Sequence, residues 1–191
     1  IDPFNQPNVA ESKANTSAIL DEAGSGPLPE GDPAFSEGAI SVYAVESLPG
    51  APSTVATTLA ALLEAVPVGG YLAVMAYLDR FADADTATLR ALLAARSPAQ
   101  VTFGWGPRFL HSTGQYHKGG PQLGAYLQIT GDNLTDLVVP DRPFTLGRLQ
   151  LAQALGDLRA LSSRNRPVVR LHLHDRNAGV AQLLAAARER A

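Results

Sequence analysis

Residues 106–120 read GPRFLHSTGQYHKGG, a polar segment that begins and ends with glycine. Within it, the imidazole of His111 has the chemistry to exchange protons near neutral pH. Ser112 and Thr113 follow directly and are residue types that cap a short helix, whose free amide groups would suit an anion such as a phosphate. The alternative is a glycine-rich connection whose polar residues only satisfy one another. We favour a ligand-binding loop with His111 as its proton-transfer group.

A second set of side chains with possible chemistry is the pair His172 and His174, in RLHLHD. If this segment is a strand, the two imidazoles lie on the same face, because alternate side chains point the same way. Two such histidines can begin a zinc or iron site. A metal would need further ligands, and no acid–histidine cluster with metal-binding spacing is evident in the sequence. We therefore favour a structural role for the pair and predict no metal site.

The N-terminal segment FNQPNVAESK places Gln6 before Pro7 and Lys13 one to two turns into a predicted helix. From these residues alone, Gln6 would cap a turn and Lys13 would be solvated, as most helix lysines are. No GxGxxG, P-loop, HExxH or GxSxG motif occurs. The sequence thus gives no support for a dinucleotide, nucleoside triphosphate, zinc-protease or serine-hydrolase site.

The elements that must position these residues alternate regularly along the chain. Apolar, β-rich segments predict five strands, at 39–46, 70–79, 99–104, 124–130 and 166–175. Segments with helical spacing predict helices at 9–24, 52–67, 83–98, 145–164 and 177–191, with Pro52-Ser53-Thr54 as one helix start and Asp83 or Asp85 as another. This order predicts a three-layer α/β/α sandwich with a mostly parallel five-stranded sheet. Such folds bind ligands beyond the carboxyl ends of their strands, which is where segment 106–120 begins.

Composition narrows the function classes. The chain has 191 residues, of which 46% are hydrophobic, enough to bury the core of one domain over 1–191. A net charge of −3 predicts no nucleic-acid partner, and the absence of cysteine excludes disulfides and thiol catalysis. No apolar run approaches the roughly 20 residues that span a bilayer, so we expect no membrane partner. The absence of cysteine agrees with a reducing cytoplasm, and we expect a cytoplasmic location. The chain begins at Ile1 without methionine, so we also expect a piece of a longer protein.

Two segments resemble one known family together. PFNQPNVAESK is similar to the FNQPGVExxK signature of glucose-6-phosphate isomerases, and FLHSTGQYHKGGP is similar to their LHSxGQ segment. The second match is especially close to actinobacterial forms and to bifunctional transaldolase/glucose-6-phosphate isomerases. It extends through LQIT, GRLQLAQALGDLRAL and RPVVRLHLHD, so the resemblance covers nearly the whole chain. It implies a sugar-isomerase (SIS) fold and the interconversion of glucose 6-phosphate and fructose 6-phosphate by ring opening and a cis-enediol, without metal or organic cofactor.

The resemblance also implies roles for particular residues. His111 matches the ring-opening histidine, Lys13 the signature lysine and Gln6 a substrate-contacting glutamine. Neighbours of the sugar phosphate would be Ser112, Thr113 and Gln115, whereas His117 and Lys118 receive no role. The sequence departs from the signature where Asn8 and Ala10 replace its Gly and Glu. The two segments also occur in the reverse of the family's usual order.

The family's catalytic glutamate segment, ESxGK, and its arginine segment, GGRxS, are not found in this sequence. We therefore expect a missing N-terminal isomerase domain to supply both, and we expect the isolated chain to be largely inactive. One alternative is a non-catalytic module that binds sugar phosphates. A further alternative is a role in subunit contacts, in which the Leu-rich helix at 145–163 buries against a partner in a homo-oligomer.

Overall fold

A six-stranded mixed sheet forms the centre of the computed structural model, which describes residues 7–189. Its strands lie in the order β1-β2-β6-β5-β3-β4. Their bounds are β1 (Phe35–Glu37), β2 (Ile40–Tyr43), β3 (Tyr71–Ala76), β4 (Gln100–Trp105), β5 (Gly124–Gly131) and β6 (Val168–Leu173). Strands β6, β5, β3 and β4 are parallel, whereas β2 is antiparallel to β6 and to β1. The prediction of a mostly parallel α/β sheet is confirmed, but the sheet has six strands and not five.

The additional strand, β1, pairs with β2 through a two-residue turn. Glu37 lies opposite Ile40, and Gly38 occupies the left-handed region with φ +56°. Glycine takes this conformation at the first central position of a tight hairpin turn without a steric penalty. Because β1 has only three residues and is largely exposed, it carries no alternating apolar pattern that would have predicted it.

Helices cover both faces of the sheet. Their bounds are α1 (Pro7–Ala23), α2 (Val55–Glu64), α3 (Leu89–Ala94), α4 (Ser112–Gly119), α5 (Leu146–Ser162) and α6 (Arg176–Arg188). Leu72 and Val74 of β3 face the core formed with α2, α3 and α6, whereas Ala73 and Met75 face α5. Helix α1 packs on the outer side of α5, where Ile19 meets Leu155. No helix among residues 7–189 is long and apolar enough to cross a membrane.

Two predicted helix starts have different outcomes. Helix α2 begins after Thr54, within the predicted start Pro52-Ser53-Thr54. The hydroxyls of Thr54 and Thr57 form a reciprocal capping box there. Asp83 precedes a short 3₁₀ helix, Ala84–Thr88, but makes no side-chain cap. Its carboxylate instead accepts hydrogen bonds from the Asp79 backbone amide and from Arg176. Of the two predicted starts, Asp83 thus has the correct position but provides no cap, and Asp85 lies within the first turn.

Segment 106–120 was predicted to be a polar ligand-binding loop with a short helix near Ser112 and Thr113, and it is more helical and more buried than that. The segment forms a 3₁₀ turn, Arg108–Leu110, followed by helix α4. Phe109 is buried beneath the helix together with His117 and Lys118. Gly114 makes this packing possible, because a Cβ there would overlap the carbonyl oxygen of Phe109.

Candidate functional site

A small cavity brings together the two residues predicted to be catalytic. It has a volume of about 290 Å³ and lies between α1, α5 and the segment that follows β4. Its lining residues are Lys13, Thr16, Ser17, Pro107, Leu110, His111 and Gln153. Lys13 and His111 are both exposed to solvent. The cavity therefore combines an imidazole that can exchange protons with an ammonium group that can attract an anion.

His111 owes its position to the start of α4. It is the residue that precedes the helix, in extended conformation, and its side chain makes no capping hydrogen bond. Ser112 and Thr113 were expected to cap this helix, but they lie in its first turn, one and two residues after the cap position. Both are exposed beside His111 and do not line the cavity.

Hydrogen bonds between Asn8 and Gln115 join the two motif segments. The backbone N–H of Asn8 donates to Gln115 Oε1 at 3.0 Å, and Gln115 Nε2 donates to Asn8 Oδ1 at 2.7 Å. The side chain of Gln115 thus connects α4 to α1. The sequence predicted a contact between Gln115 and the substrate, and it did not predict this contact between helices. Gln6, also predicted to bind substrate, lies outside the described residues.

A buried ion pair supports α4 from below. Lys118 Nζ lies 2.5 Å from Asp157 Oδ1 and also donates to the Phe109 carbonyl at 2.9 Å. The Tyr77 hydroxyl donates to Asp157 Oδ2 at 3.0 Å. Both charged side chains are only 1% exposed. Burial raises the pKa of Asp157, although Lys118 and Tyr77 act in the opposite direction. The pair fixes the helix that follows His111 and does not itself face the cavity.

His117 is held among aromatic rings. Its ring centroid lies 5.2 Å from that of Tyr126, 5.8 Å from that of Phe109 and 5.9 Å from that of Tyr71. Burial, aided by the nearby charges of Lys118 and Arg166, lowers the pKa of His117 to about 4. His117 is therefore neutral at physiological pH and serves the packing of α4.

A second group of polar side chains lies at the carboxyl ends of β5 and β6. Asp132 Oδ1 is 3.1 Å from His172 Nε2, and Asp132 Oδ2 is 3.6 Å from His174 Nδ1. The sequence showed no acid–histidine cluster with metal-binding spacing, yet the structure places the Asp132 carboxylate beside both histidines. Asp132 was not predicted as a neighbour of the histidines because it follows a different strand. Its position directly after the buried strand β5 could have indicated that it lies at the same edge of the sheet. His172 and Asp132 line a cavity of about 670 Å³ that shares no described lining residue with the His111–Lys13 cavity.

Comparison with known proteins adds information on the fold. No family model and no curated protein matches this chain. Among solved structures, it is similar to the hypothetical protein TT0462 from Thermus thermophilus, with a TM-score of 0.58 and 18% sequence identity. The match covers 70% of this chain and 37% of that protein, so the chain spans little more than a third of its neighbour's length. At this identity the likeness is one of fold.

Proposed function

We propose that this chain contributes His111 and Lys13 to the interconversion of glucose 6-phosphate and fructose 6-phosphate, in an enzyme completed by a second isomerase domain. The observation that carries the proposal is the contact between the two motif segments. Asn8 and Gln115 are 107 positions apart in sequence, yet they form reciprocal hydrogen bonds. The segments thus lie together despite their reversed order. The first contributes Lys13 to the cavity, and the second contributes Leu110 and His111.

The chemistry of the cavity suits the first part of this reaction. Opening a sugar ring requires a proton to be exchanged with a ring oxygen, which an exposed imidazole can do near neutral pH. The Lys13 ammonium supplies positive charge for the phosphate of the substrate. The subsequent proton transfer between C1 and C2 requires a base, and no Asp or Glu is among the described residues that line the cavity. In the proposed enzyme that base comes from the second domain.

The lack of a carboxylate among those lining residues also favours an alternative, a module that binds sugar phosphates without catalysis. Substitutions in the complete protein that carries this sequence distinguish the two. Under the proposal, His111→Gln should lower kcat about 10²- to 10⁴-fold with little change in KM, as expected for loss of a proton-transfer group. Lys13→Met should mainly raise KM for the phosphosugar. The exposed Arg159 provides a matched control, since Arg159→Gln should change neither constant.

The measurement is a coupled assay of fructose 6-phosphate formation, together with calorimetric binding of glucose 6-phosphate. Unchanged turnover in His111→Gln with retained binding would support the binding module and refute the catalytic role. Absence of glucose 6-phosphate binding in the unsubstituted protein would refute both. The isolated 191-residue chain should show little turnover, and near-complete activity from it would show that no second domain is required.

A further inference from the structure

We propose that Asp132, His172 and His174 form a binding site for a divalent transition-metal ion such as zinc. The three residues each offer one ligand atom, and these atoms all lie within 4.8 Å of one another. Two imidazole nitrogens and a carboxylate oxygen form a common protein ligand set for zinc, and imidazole favours transition metals over magnesium or calcium. The site is separate from the His111–Lys13 cavity, so it does not depend on the proposed isomerase activity.

The backbone brings the three ligands together without distortion of the sheet. Strands β5 and β6 are parallel neighbours, with Thr130 opposite His172. Asp132 follows the end of β5 and His174 follows the end of β6, each two residues beyond that pair. Because side chains two residues apart on a strand point to the same side, the carboxylate and both imidazoles converge at this edge.

Hydroxyl groups hold the remaining nitrogen of each imidazole. His172 Nδ1 lies 2.9 Å from Thr130 Oγ1, which leaves Nε2 directed at Asp132. His174 Nε2 lies 2.8 Å from Ser41 Oγ, which leaves Nδ1 on the side of Asp132. Partners of this kind orient metal-binding histidines and fix the tautomer that presents a lone pair to the metal.

The surroundings allow a cation to enter and to keep an open position. His172 is 6% exposed, whereas Asp132 and His174 are exposed, so the group is anchored on one side and accessible on the other. The nearby Arg176 donates to the Asp132 carbonyl oxygen, but its guanidinium is also paired with Asp83 at 3.2 Å. The carboxylate of Asp132 therefore remains available to a metal ion.

The remaining coordination positions would face the cavity of about 670 Å³ that Asp132 and His172 line. Asp136 also lines this cavity, as do Arg148 and a Glu30 carboxylate that is paired with Arg170, so the cavity carries charges of both signs. Three protein ligands plus an open position are the arrangement of catalytic rather than purely structural zinc sites, because a water molecule or a substrate oxygen can complete the coordination. The site would therefore accept an oxygen ligand from the cavity.

The test uses the tag-free chain, titrated with zinc in competition with a chelating dye and with cobalt followed by visible absorption. One equivalent should bind, and both Asp132→Asn and His174→Gln should weaken zinc affinity at least about 10-fold and remove the cobalt absorption. Both residues are exposed, so these variants are expected to fold, which circular dichroism would verify. The control His111→Gln removes a histidine outside the cluster and should leave affinity unchanged.

Thr130→Val tests the geometry rather than the ligand count. It leaves all three ligands in place but removes the hydroxyl that orients His172, so zinc affinity should fall about 10-fold. A simple His–Asp ion pair without a metal function would show no zinc binding in the unsubstituted chain. The proposal is overturned by that result, and equally by wild-type zinc affinity in both Asp132→Asn and His174→Gln.

Discussion

Replacing Lys118 with methionine removes the cation that balances a buried carboxylate while it keeps most of the side-chain volume. Lys118 Nζ is 2.5 Å from Asp157 Oδ1, and both side chains are only 1% exposed. In Lys118→Met, Asp157 would keep the hydrogen bond from Tyr77, but the Phe109 carbonyl would lose the donor that Lys118 provides. The variant should therefore leave an uncompensated charge beneath α4.

The expected loss follows from the burial of the pair. Removing one partner of a buried ion pair typically costs about 3–5 kcal/mol, because the other charge stays away from water without a counter-ion. For a chain of this length, each kcal/mol corresponds to roughly 2–4 °C, so Tm should fall by about 6–20 °C. The double variant Lys118→Met/Asp157→Leu should lose less than the single variant, since no charge remains unpaired in it.

Urea denaturation followed by the fluorescence of Trp105 would measure these losses at pH 7.5. Glu11→Gln provides the matched control because it breaks the ion pair between Glu11 and Arg164. The side chain of Glu11 is 36% exposed and that of Arg164 is 27% exposed. Such a solvated pair should contribute only about 0–1 kcal/mol. A loss in Lys118→Met below about 1 kcal/mol, or no greater than that in Glu11→Gln, would refute the view that Lys118 balances a buried charge.

The loss in Lys118→Met should also depend on pH. Burial raises the pKa of Asp157 in the folded chain, and removal of Lys118 should raise it further. A carboxyl group with a raised folded pKa binds more protons in the folded than in the unfolded state, so the free energy of unfolding falls as pH rises through that pKa. The destabilisation should therefore be smaller at pH 4.5 than at pH 7.5. In contrast, Arg164 lowers the pKa of Glu11, so the stability from that pair should be lost as pH falls.

Three further substitutions test the packing of α4, its contact with α1 and the cap of α6. Gly114→Ala should destabilise the chain by about 1–3 kcal/mol or more, because its Cβ would overlap the Phe109 carbonyl oxygen; thermal denaturation would measure the loss. Gln115→Ala should cost about 1–2 kcal/mol and speed amide hydrogen exchange in α1, because it removes both hydrogen bonds to Asn8. Asp175→Ala should cost about 1 kcal/mol in urea denaturation, because the Asp175 carboxylate caps α6.

Neighbouring exposed residues supply the controls for these variants. Thr113 precedes Gly114 in α4, and Asn177 lies in the first turn of α6, so the controls are Thr113→Ala and Asn177→Ala. Both should change stability by no more than about 0.5 kcal/mol. If Gly114→Ala were as stable as Thr113→Ala, the close approach of α4 to the 3₁₀ turn would be wrong. If Asp175→Ala matched Asn177→Ala, the cap would make no net contribution.

Sequence patterns were sufficient to predict a strand whose residues are all buried and a helix start whose capping residues are close in sequence. The apolar run of β3 predicts a strand covered on both faces, and its residues 72–76 are all buried. Thr54 predicts the start of α2 because its capping partner is only three residues away. For helix α4 the sequence indicated only a short helix capped by Ser112 or Thr113. Its extent and burial were not predicted, since its buried residues His117 and Lys118 are polar and its glycines disfavour a helix. The partner that makes Lys118 burial possible, Asp157, is 39 residues away.

In the candidate site, too, local motifs were predicted from the sequence, whereas contacts between distant segments were not. His111 and Lys13 were predicted from their motifs, and the structure brings them to one cavity. The role expected of Gln115 did not include its bonds to Asn8, because nothing in either segment indicates that α1 lies against α4. Such contacts depend on how helices pack across the sheet, which local propensity does not determine.

The order and direction of the strands decide what can surround the histidine pair. Because β5 lies next to β6, Asp132 reaches His172, although the two are 40 positions apart in sequence. Because β2 runs antiparallel on the other side of β6, Ser41 lies opposite His172 and reaches His174 with its hydroxyl. Each of these strands was predicted, but their neighbours in the sheet were not. The Asp132 carboxylate and the Ser41 hydroxyl thus lie beside the histidine pair because of the strand order. Zinc affinity in the variants of Asp132 and His174 therefore tests this strand order as well as the proposed site.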